Sequence, residues 1–244
     1  MSFMSRSLSR RTFLASLGAV ACSGIPSFAG ASDQAGSIGF GYTAMTWGSE
    51  EHQAIDDIAA VGFPGIQFRA NAVTDFKPAE LKDLLAQHKL TFVALSSGDI
   101  SLDEPEDPQI AKHVANAQFV KDSGGLYLQI LDVLKVYPRS ATPDECKRLG
   151  KLLTALGKRT ADIGVPLGYH NHLNTLSQMP ANLDLILENA DPKYVKLELD
   201  TAHCLASGGD PAKAIEKYHD RLLFLHLKDV RDIPARYSQG EISV

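Results

Sequence analysis

Tyr169-His170-Asn171-His172, Leu197-Glu198-Leu199-Asp200-Thr201-Ala202-His203 and Leu225-His226-Leu227-Lys228-Asp229 are apolar runs that each end in a cluster of ionisable side chains. Each run follows a stretch with helical spacing, so each reads as a strand whose C-terminal end carries the cluster. Residues two apart on a strand share a face, which groups His170 with His172, Glu198 with Asp200, and His226 with Lys228. One such residue alone is ordinarily a cap or a hydrogen-bonded loop residue. Three successive strands decorated in the same way point instead to a shared site. Imidazoles and carboxylates on one rim suit a divalent cation, because several nitrogen and oxygen donors must replace the water it sheds.

Outward from these runs the chain alternates strand and helix. Strands are expected at Ser37–Tyr42, Phe63–Arg69, Leu90–Leu95, Leu126–Ile130, Val165–Tyr169, Tyr194–Leu199 and Leu222–Leu227. Helices are expected at Glu50–Val61, Pro78–His88, Asp107–Asp122, from the cap Thr142 through Ile163, Ala181–Asn189 and Asp210–Tyr218. Gly62 and Gly164 mark helix ends, and Pro78 and Pro143 mark helix starts. Strict alternation implies parallel strands joined by right-handed crossovers. An open doubly wound sheet commonly carries a glycine-rich phosphate loop after its first strand, but Gly39-Phe40-Gly41 opens no helix. A closed barrel carries its functional groups at the C-terminal ends of several strands, as here. The expected fold is therefore an α/β barrel of the (β/α)8 TIM type, incomplete, with seven strands and no eighth βα unit.

The chain has 244 residues, 44% hydrophobic and 22% charged, which suits one large α/β domain. A net charge of -5 with scattered basic residues leaves no footprint for nucleic acid. Residues 1–31 read as a separate leader: Ser9-Arg10-Arg11-Thr12-Phe13-Leu14 is a twin-arginine signature, and the apolar stretch Phe13–Val20 is too short to anchor in a bilayer. Cleavage after Ser27-Phe28-Ala29 or Ala29-Gly30-Ala31 would release the barrel, residues 32–244, to the periplasm or the medium with no membrane span. Ala19-Val20-Ala21-Cys22 is a weaker, lipoprotein-like alternative. Of the three cysteines, Cys146 and Cys204 lie beyond the leader at a spacing that suggests neither a disulfide framework nor a zinc knuckle.

From about Ile38 onward the chain resembles the xylose isomerase-like sugar phosphate isomerase/epimerase barrels. Gly62-Phe63-Pro64-Gly65-Ile66, Leu167-Gly168-Tyr169-His170-Asn171-His172, Asp191-Pro192-Lys193-Tyr194-Val195-Lys196-Leu197, Leu199-Asp200-Thr201-Ala202-His203, Gly209-Asp210-Pro211 and Leu225-His226-Leu227-Lys228-Asp229 carry the resemblance. It implies one divalent metal ion, Mn, Mg, Co or Zn, at the barrel mouth and a proton moved next to a sugar carbonyl or hydroxyl. On matching positions His170, Asp200 and His226 are the implied metal ligands, with His170 standing where many relatives place a glutamate. His172, His203 and Lys228 are the implied substrate-binding groups.

Relatives with a full catalytic set also use opposing glutamates from strands five and eight. Strand five here offers His170, and after Asp229 the chain runs to Ser238-Gln239-Gly240-Glu241-Ile242-Ser243-Val244 without an eighth strand. Glu198 is the nearest replacement carboxylate, which makes Glu198, His172 and Lys228 the expected catalytic groups; a structural pairing of Glu198 with Lys196 or Lys228 is the other reading. The expected function is a metal-dependent isomerase or epimerase of a sugar, sugar phosphate or keto-polyol. Loss of a β-leaving group on the same site would make it a lyase or dehydratase, and loss of catalysis a sugar-binding barrel. A multi-metal phosphodiesterase would need more ligands than Gln67, Ser97 and Gln129 offer on strands two to four. The unpaired barrel edge leads to the expectation of a fragment of a longer protein or of a homo-oligomer that covers the edge.

Overall fold

The computed structural model describes residues 38–133 and 141–230. The leader with Arg10, Arg11 and Cys22, and the tail from 231 to 244, lie outside the described residues. All the described strands and helices belong to one compact unit within Phe40–Val244.

In order, this unit runs β1 (Tyr42–Thr43), α1 (Glu51–Ala60), β2 (Gly65–Arg69), α2 (Ala72–Asp75), α3 (Pro78–His88), β3 (Thr91–Ile100), α4 (Glu106–Asp122) and β4 (Tyr127–Asp132). It continues with α5 (Pro143–Ile163), β5 (Leu167–His170), α6 (Pro180–Glu188), β6 (Val195–Asp200), α7 (Thr201–Ala206), α8 (Pro211–Tyr218) and β7 (Leu222–His226). The strands form one sheet in the order β1-β2-β3-β4-β5-β6-β7, every neighbouring pair parallel. The sheet curls: His226 on β7 donates from Nε2 to Gln67 Oε1 on β2 at 2.6 Å, and Phe224 on β7 stacks on Tyr127 of β4 at 5.6 Å. No ladder joins β7 to β1 among the described residues.

Alternation along the strands sorts the two faces. Ile66, Phe68, Leu128, Ile130, Leu167, Leu197 and Leu199 are fully buried in the core cluster. The intervening positions, Gln67, Gln129, His170, Glu198 and His226, face the interior, which continues the alternation from Tyr127 and Phe224. Full burial of a leucine or isoleucine contributes about 1.5–3 kcal/mol, so the outer layer holds the curled sheet while the inner layer is left free for polar groups.

Three expectations change. The first strand is only Tyr42–Thr43 and not Ser37–Tyr42: Ile38 and Phe40 are 82% and 51% exposed, and Gly39 and Gly41 weaken the run between them. The third strand extends past Leu95 to Ile100, because a register shift between Ser96 and Asp99, with Gly98 at φ +91°, lets it resume pairing with Leu131 and Asp132. The sixth strand runs to Asp200 and does not end at Leu199, and Thr201-Ala202-His203 starts α7, for which the Asp200 side chain is the N-cap.

Helix α5 shows how closely the outer layer fits. Thr142 and Glu145 form a capping box at its start, and Leu149, Leu152, Leu153 and Leu156 lie on its buried face. Two glycines on that face let it approach its neighbours: a Cβ on Gly150 would lie 2.6 Å from Ile186 O, and one on Gly157 would lie 2.5 Å from Tyr194 O. Both obstacles are backbone atoms. Gly157→Ala gains about 1 kcal/mol of helix propensity but must push the chain ahead of β6 outward. We expect a net destabilisation of about 1–2 kcal/mol by denaturant unfolding, whereas a gain in stability would show that the approach is loose.

Candidate metal centre and active site

The ladders of the last three strands set the site. Register places His170 beside Glu198, and Asp200 beside His226. His226 Nε2 lies 2.6 Å from Glu198 Oε1 as well as 2.6 Å from Gln67 Oε1. A single N–H serves one acceptor, and its direction favours Gln67. Glu198 is thus left in close ionic contact without a hydrogen bond, with its carboxylate fully buried. His170 Nδ1 is 3.4 Å from Glu198 Oε1, and His226 Nδ1 is 3.7 Å from Asp200 Oδ2.

Asp200 has two duties. Its Oδ1 accepts from His203 N at 2.9 Å as the cap of α7, and its Oδ2 forms an ion pair with Lys228 Nζ at 2.9 Å. The cap orients α7 so that His203, one turn on, returns to the rim, where its ring lies 3.7 Å from that of His172. His172 donates from Nδ1 to Leu173 O at 2.6 Å, which leaves its Nε2 as the acceptor.

All seven residues singled out in the sequence, His170, His172, Glu198, Asp200, His203, His226 and Lys228, therefore meet in one cluster at the C-terminal strand ends. Glu198 pairs with neither lysine: Lys228 goes to Asp200 and His226 takes its place. Two triads, His170/Glu198/His226 and His170/His172/His203, bring their ligand atoms within 4.8 Å of one another.

Burial dominates the electrostatics. It raises the Glu198 carboxyl, against the opposing pull of His226. Burial also pushes Asp200 upward, but the nearby His226 ring and the charges of His203 and Lys228 hold it well below the usual carboxylate range. Burial alone would lower His226; the charge of Glu198 at 2.6 Å and the Asp200 carboxylate at 3.7 Å raise it to about 9. Burial, with the charge of His226 second, drives His170 well down. Burial takes His203 to about 3 despite the charge of Asp200. Nδ1 of His170 and of His226, both nitrogens of His203 and both oxygens of Glu198 are buried with no hydrogen bond.

Three clamps were not recognised in the sequence. Asn171 donates from Nδ2 to Asp200 O at 3.2 Å and accepts from Asp200 N at 2.8 Å, which ties β5 to β6 beyond their ladder. Thr201 Oγ1 accepts from Lys228 N at 3.0 Å and so fixes the lysine. Asp132, at the end of β4, accepts from Tyr169 OH at 2.5 Å and from Leu176 N at 2.6 Å, and so holds the segment that comes after His172. A polar residue ending the apolar run Leu128-Gln129-Ile130-Leu131 was the available signal for Asp132. Cys204 is buried and lines a separate cavity of about 200 Å³ with Asn171, Ser177, Lys217 and Tyr218, away from the ligand side chains.

The sequence from residue 55 to 241 matches the xylose isomerase-like TIM barrel family. The chain belongs to this family. Among curated relatives of this barrel, an inosose dehydratase of Lacticaseibacillus casei is 28% identical over 194 residues, covering 75% of this chain and 64% of that protein. The chain thus spans less than two thirds of that relative. Among solved structures, a 3-keto-D-glucoside 4-epimerase of E. coli superposes with a TM-score of 0.62 at 18% identity, over 79% of this chain and 78% of that one. The IOLI protein, with a bound zinc atom, superposes at 0.66 and 16% identity, over 81% and 75%. At these identities the two structures establish the barrel fold alone. No helix among the described residues is long and apolar enough to cross a membrane.

Asp132 offers a check on the clamps. Burial raises its carboxyl from 3.8 to about 6, against the hydrogen bonds from Tyr169 and Leu176. The folded chain therefore holds this proton more tightly than the unfolded one, so the contribution is complete below about pH 4 and is lost as pH rises through about 6. Asp132→Ala strands both donors and should cost about 2–5 kcal/mol, with a smaller penalty at pH 7.5 than at pH 5 in denaturant unfolding. A penalty that grows with pH over this range would contradict the assignment.

Proposed function

We propose that this chain is a divalent-metal-dependent enzyme that moves a proton at the carbon next to the carbonyl of a sugar, sugar phosphate or keto-polyol, with isomerisation or epimerisation as the outcome. The observation that carries the reading is the buried cluster itself: imidazole nitrogens and carboxylate oxygens from three adjacent strands lack hydrogen bonds at the C-terminal rim. Leaving them so in a stable fold is costly, whereas a cation uses every one of those lone pairs. The donor set fits: His170, Asp200 and His226 would hold the ion, with Glu198 beside them. A bound divalent ion supplies a Lewis acid for a carbonyl oxygen and stabilises the negative charge that grows there. The IOLI structure, of the same fold, holds a zinc atom, which supports a metal ion in this chain, and the donors here are compatible with Mn, Mg, Co or Zn.

The remaining steps belong to the chain's own groups. Burial keeps His172 neutral, and the hydrogen bond of Nδ1 to Leu173 O directs its basic Nε2 away from that carbonyl, so it is suited to accept a proton. Glu198, whose carboxyl burial raises, is suited to hold a proton and return it. Lys228, 25% exposed and fixed on Asp200, sets a positive charge at the mouth where a hydroxyl or phosphate of the substrate would lie. His203, packed against His172, completes the substrate face.

The inosose dehydratase relative favours a second reading. Proton abstraction is the same, but the returned proton goes to a β-hydroxyl, whose C–O bond breaks as the new C=C forms, and water leaves. Export of the enzyme through the Arg10-Arg11 leader remains part of the proposal, as does a second copy that covers the edges of β1 and β7.

The test is to incubate metal-loaded protein with ketoses and inososes in heavy water and follow the carbon next to the carbonyl by NMR. Deuterium should enter there, and His172→Gln should slow its entry by about 100-fold or more. A product lighter by one water assigns the dehydratase outcome. Sugar binding with no exchange would leave a binding barrel and refute the enzyme reading.

A further inference from the structure

His170, His172 and His203 make a triad with no carboxylate in it, from the end of β5, the residues just after it and the first turn of α7. Their ligand nitrogens lie within 4.8 Å of one another, and ring centroids are separated by 5.7 Å (His170 to His172), 6.0 Å (His170 to His203) and 3.7 Å (His172 to His203). His203 is 2% exposed, and neither of its ring nitrogens has a hydrogen bond. Its closest carboxylate oxygen, Asp200 Oδ2, is 3.8 Å away and already paired with Lys228. His172 is arranged as metal-bound histidines usually are, with one ring N–H given to a backbone carbonyl and the other nitrogen left with its lone pair.

We propose that this triad is a second ion position, selective for zinc-like ions, that competes with the carboxylate-bearing position for His170. Three imidazoles with an open fourth place suit Zn²⁺, while carboxylate oxygens are what Mn²⁺ and Mg²⁺ require. The two positions exclude each other because a neutral imidazole has one lone pair, so His170 serves one ion at a time. The choice of ion then sets where the charge sits. An ion in the three-histidine position occupies the rings that form the substrate face, so zinc held there blocks the sugar. The proposal rests on the functional reading only for the role of the other position; the three-histidine position stands on its own geometry.

The experiment uses the full chain stripped of metal, and reads binding rather than turnover. Zinc affinity is measured by competition with a chromogenic chelator, and manganese affinity by electron paramagnetic resonance. His172→Ala and His203→Ala should each lower zinc affinity by at least about tenfold and leave manganese within about twofold, and His226→Gln should do the reverse. Total occupancy with both ions present should stay at one per chain. X-ray absorption of the zinc-loaded natural protein should count three imidazole nitrogens, a readout that does not depend on any variant folding. Two imidazoles would overturn the proposal, as would zinc and manganese affinities that fall together in every variant, or both ions bound at once. Failure of sugar turnover bears on the function alone and leaves these readouts untouched.

Discussion

Two carboxylates, Glu198 and Asp200, are held on one strand among imidazoles, with almost no access to water, and the rest of the rim is arranged around that fact. Taking an ionised carboxylate out of water costs several kcal/mol even after relaxation. Asp200 recovers part of this through the His203 amide, Lys228 and His226. Glu198 recovers less, from contacts with the His226 and His170 rings and no hydrogen bond. A fold selected only for stability would place apolar side chains at these two positions, as it does at Leu197 and Leu199 on the other face of the same strand. The cost is concentrated where three strands can present donors to one point, as expected of a preorganised site.

The clamps make this placement possible. A ladder alone fixes backbone register but leaves the last residues of each strand free to fray. Asn171 closes β5 onto β6, Thr201 holds Lys228 against β6, and Asp132 holds the segment after His172. Asn171 and Thr201 are short, uncharged side chains bonded to backbone, so they restrain position without adding a charge to compete for the ion, while Asp132 holds its segment through Tyr169 OH and Leu176 N. The ionisable residues could therefore differ among barrels of this family while the frame that aims them stays the same.

Much of this was legible in the sequence, for physical reasons. The last three strands carry apolar residues on an outer face that is buried in β5 and β6 and half-buried in β7, so each reads as an apolar run with ionisable residues near its end. Helix α3 was bounded correctly because Pro78 starts it and Lys89, at φ +56°, ends it. What escaped depended on geometry with little local signature. The extension of β3 needs a register shift at Ser96–Asp99 that only the partner strand reveals. The helix at Thr201 has six residues, less than two turns and too few to show a repeating apolar pattern, so its cap, Asp200, was the available signal. Gln67 looked like a poor metal ligand, and only the curl of the sheet shows it on His226. The pairing of Lys228 with Asp200 and not Glu198 depends on strand register, which no single-strand pattern contains.

If the buried, unbonded donors at this rim exist to hold a cation, the ion should be lost with its ligands. Calorimetric titration of Mn²⁺ into the metal-stripped chain, compared with an Asp200→Asn/His226→Gln double variant, tests this most directly. One ion per chain is predicted for the natural protein, with a loss of at least about tenfold in affinity for the variant. Undiminished stoichiometric binding by the double variant, or no binding by the natural chain, would contradict it.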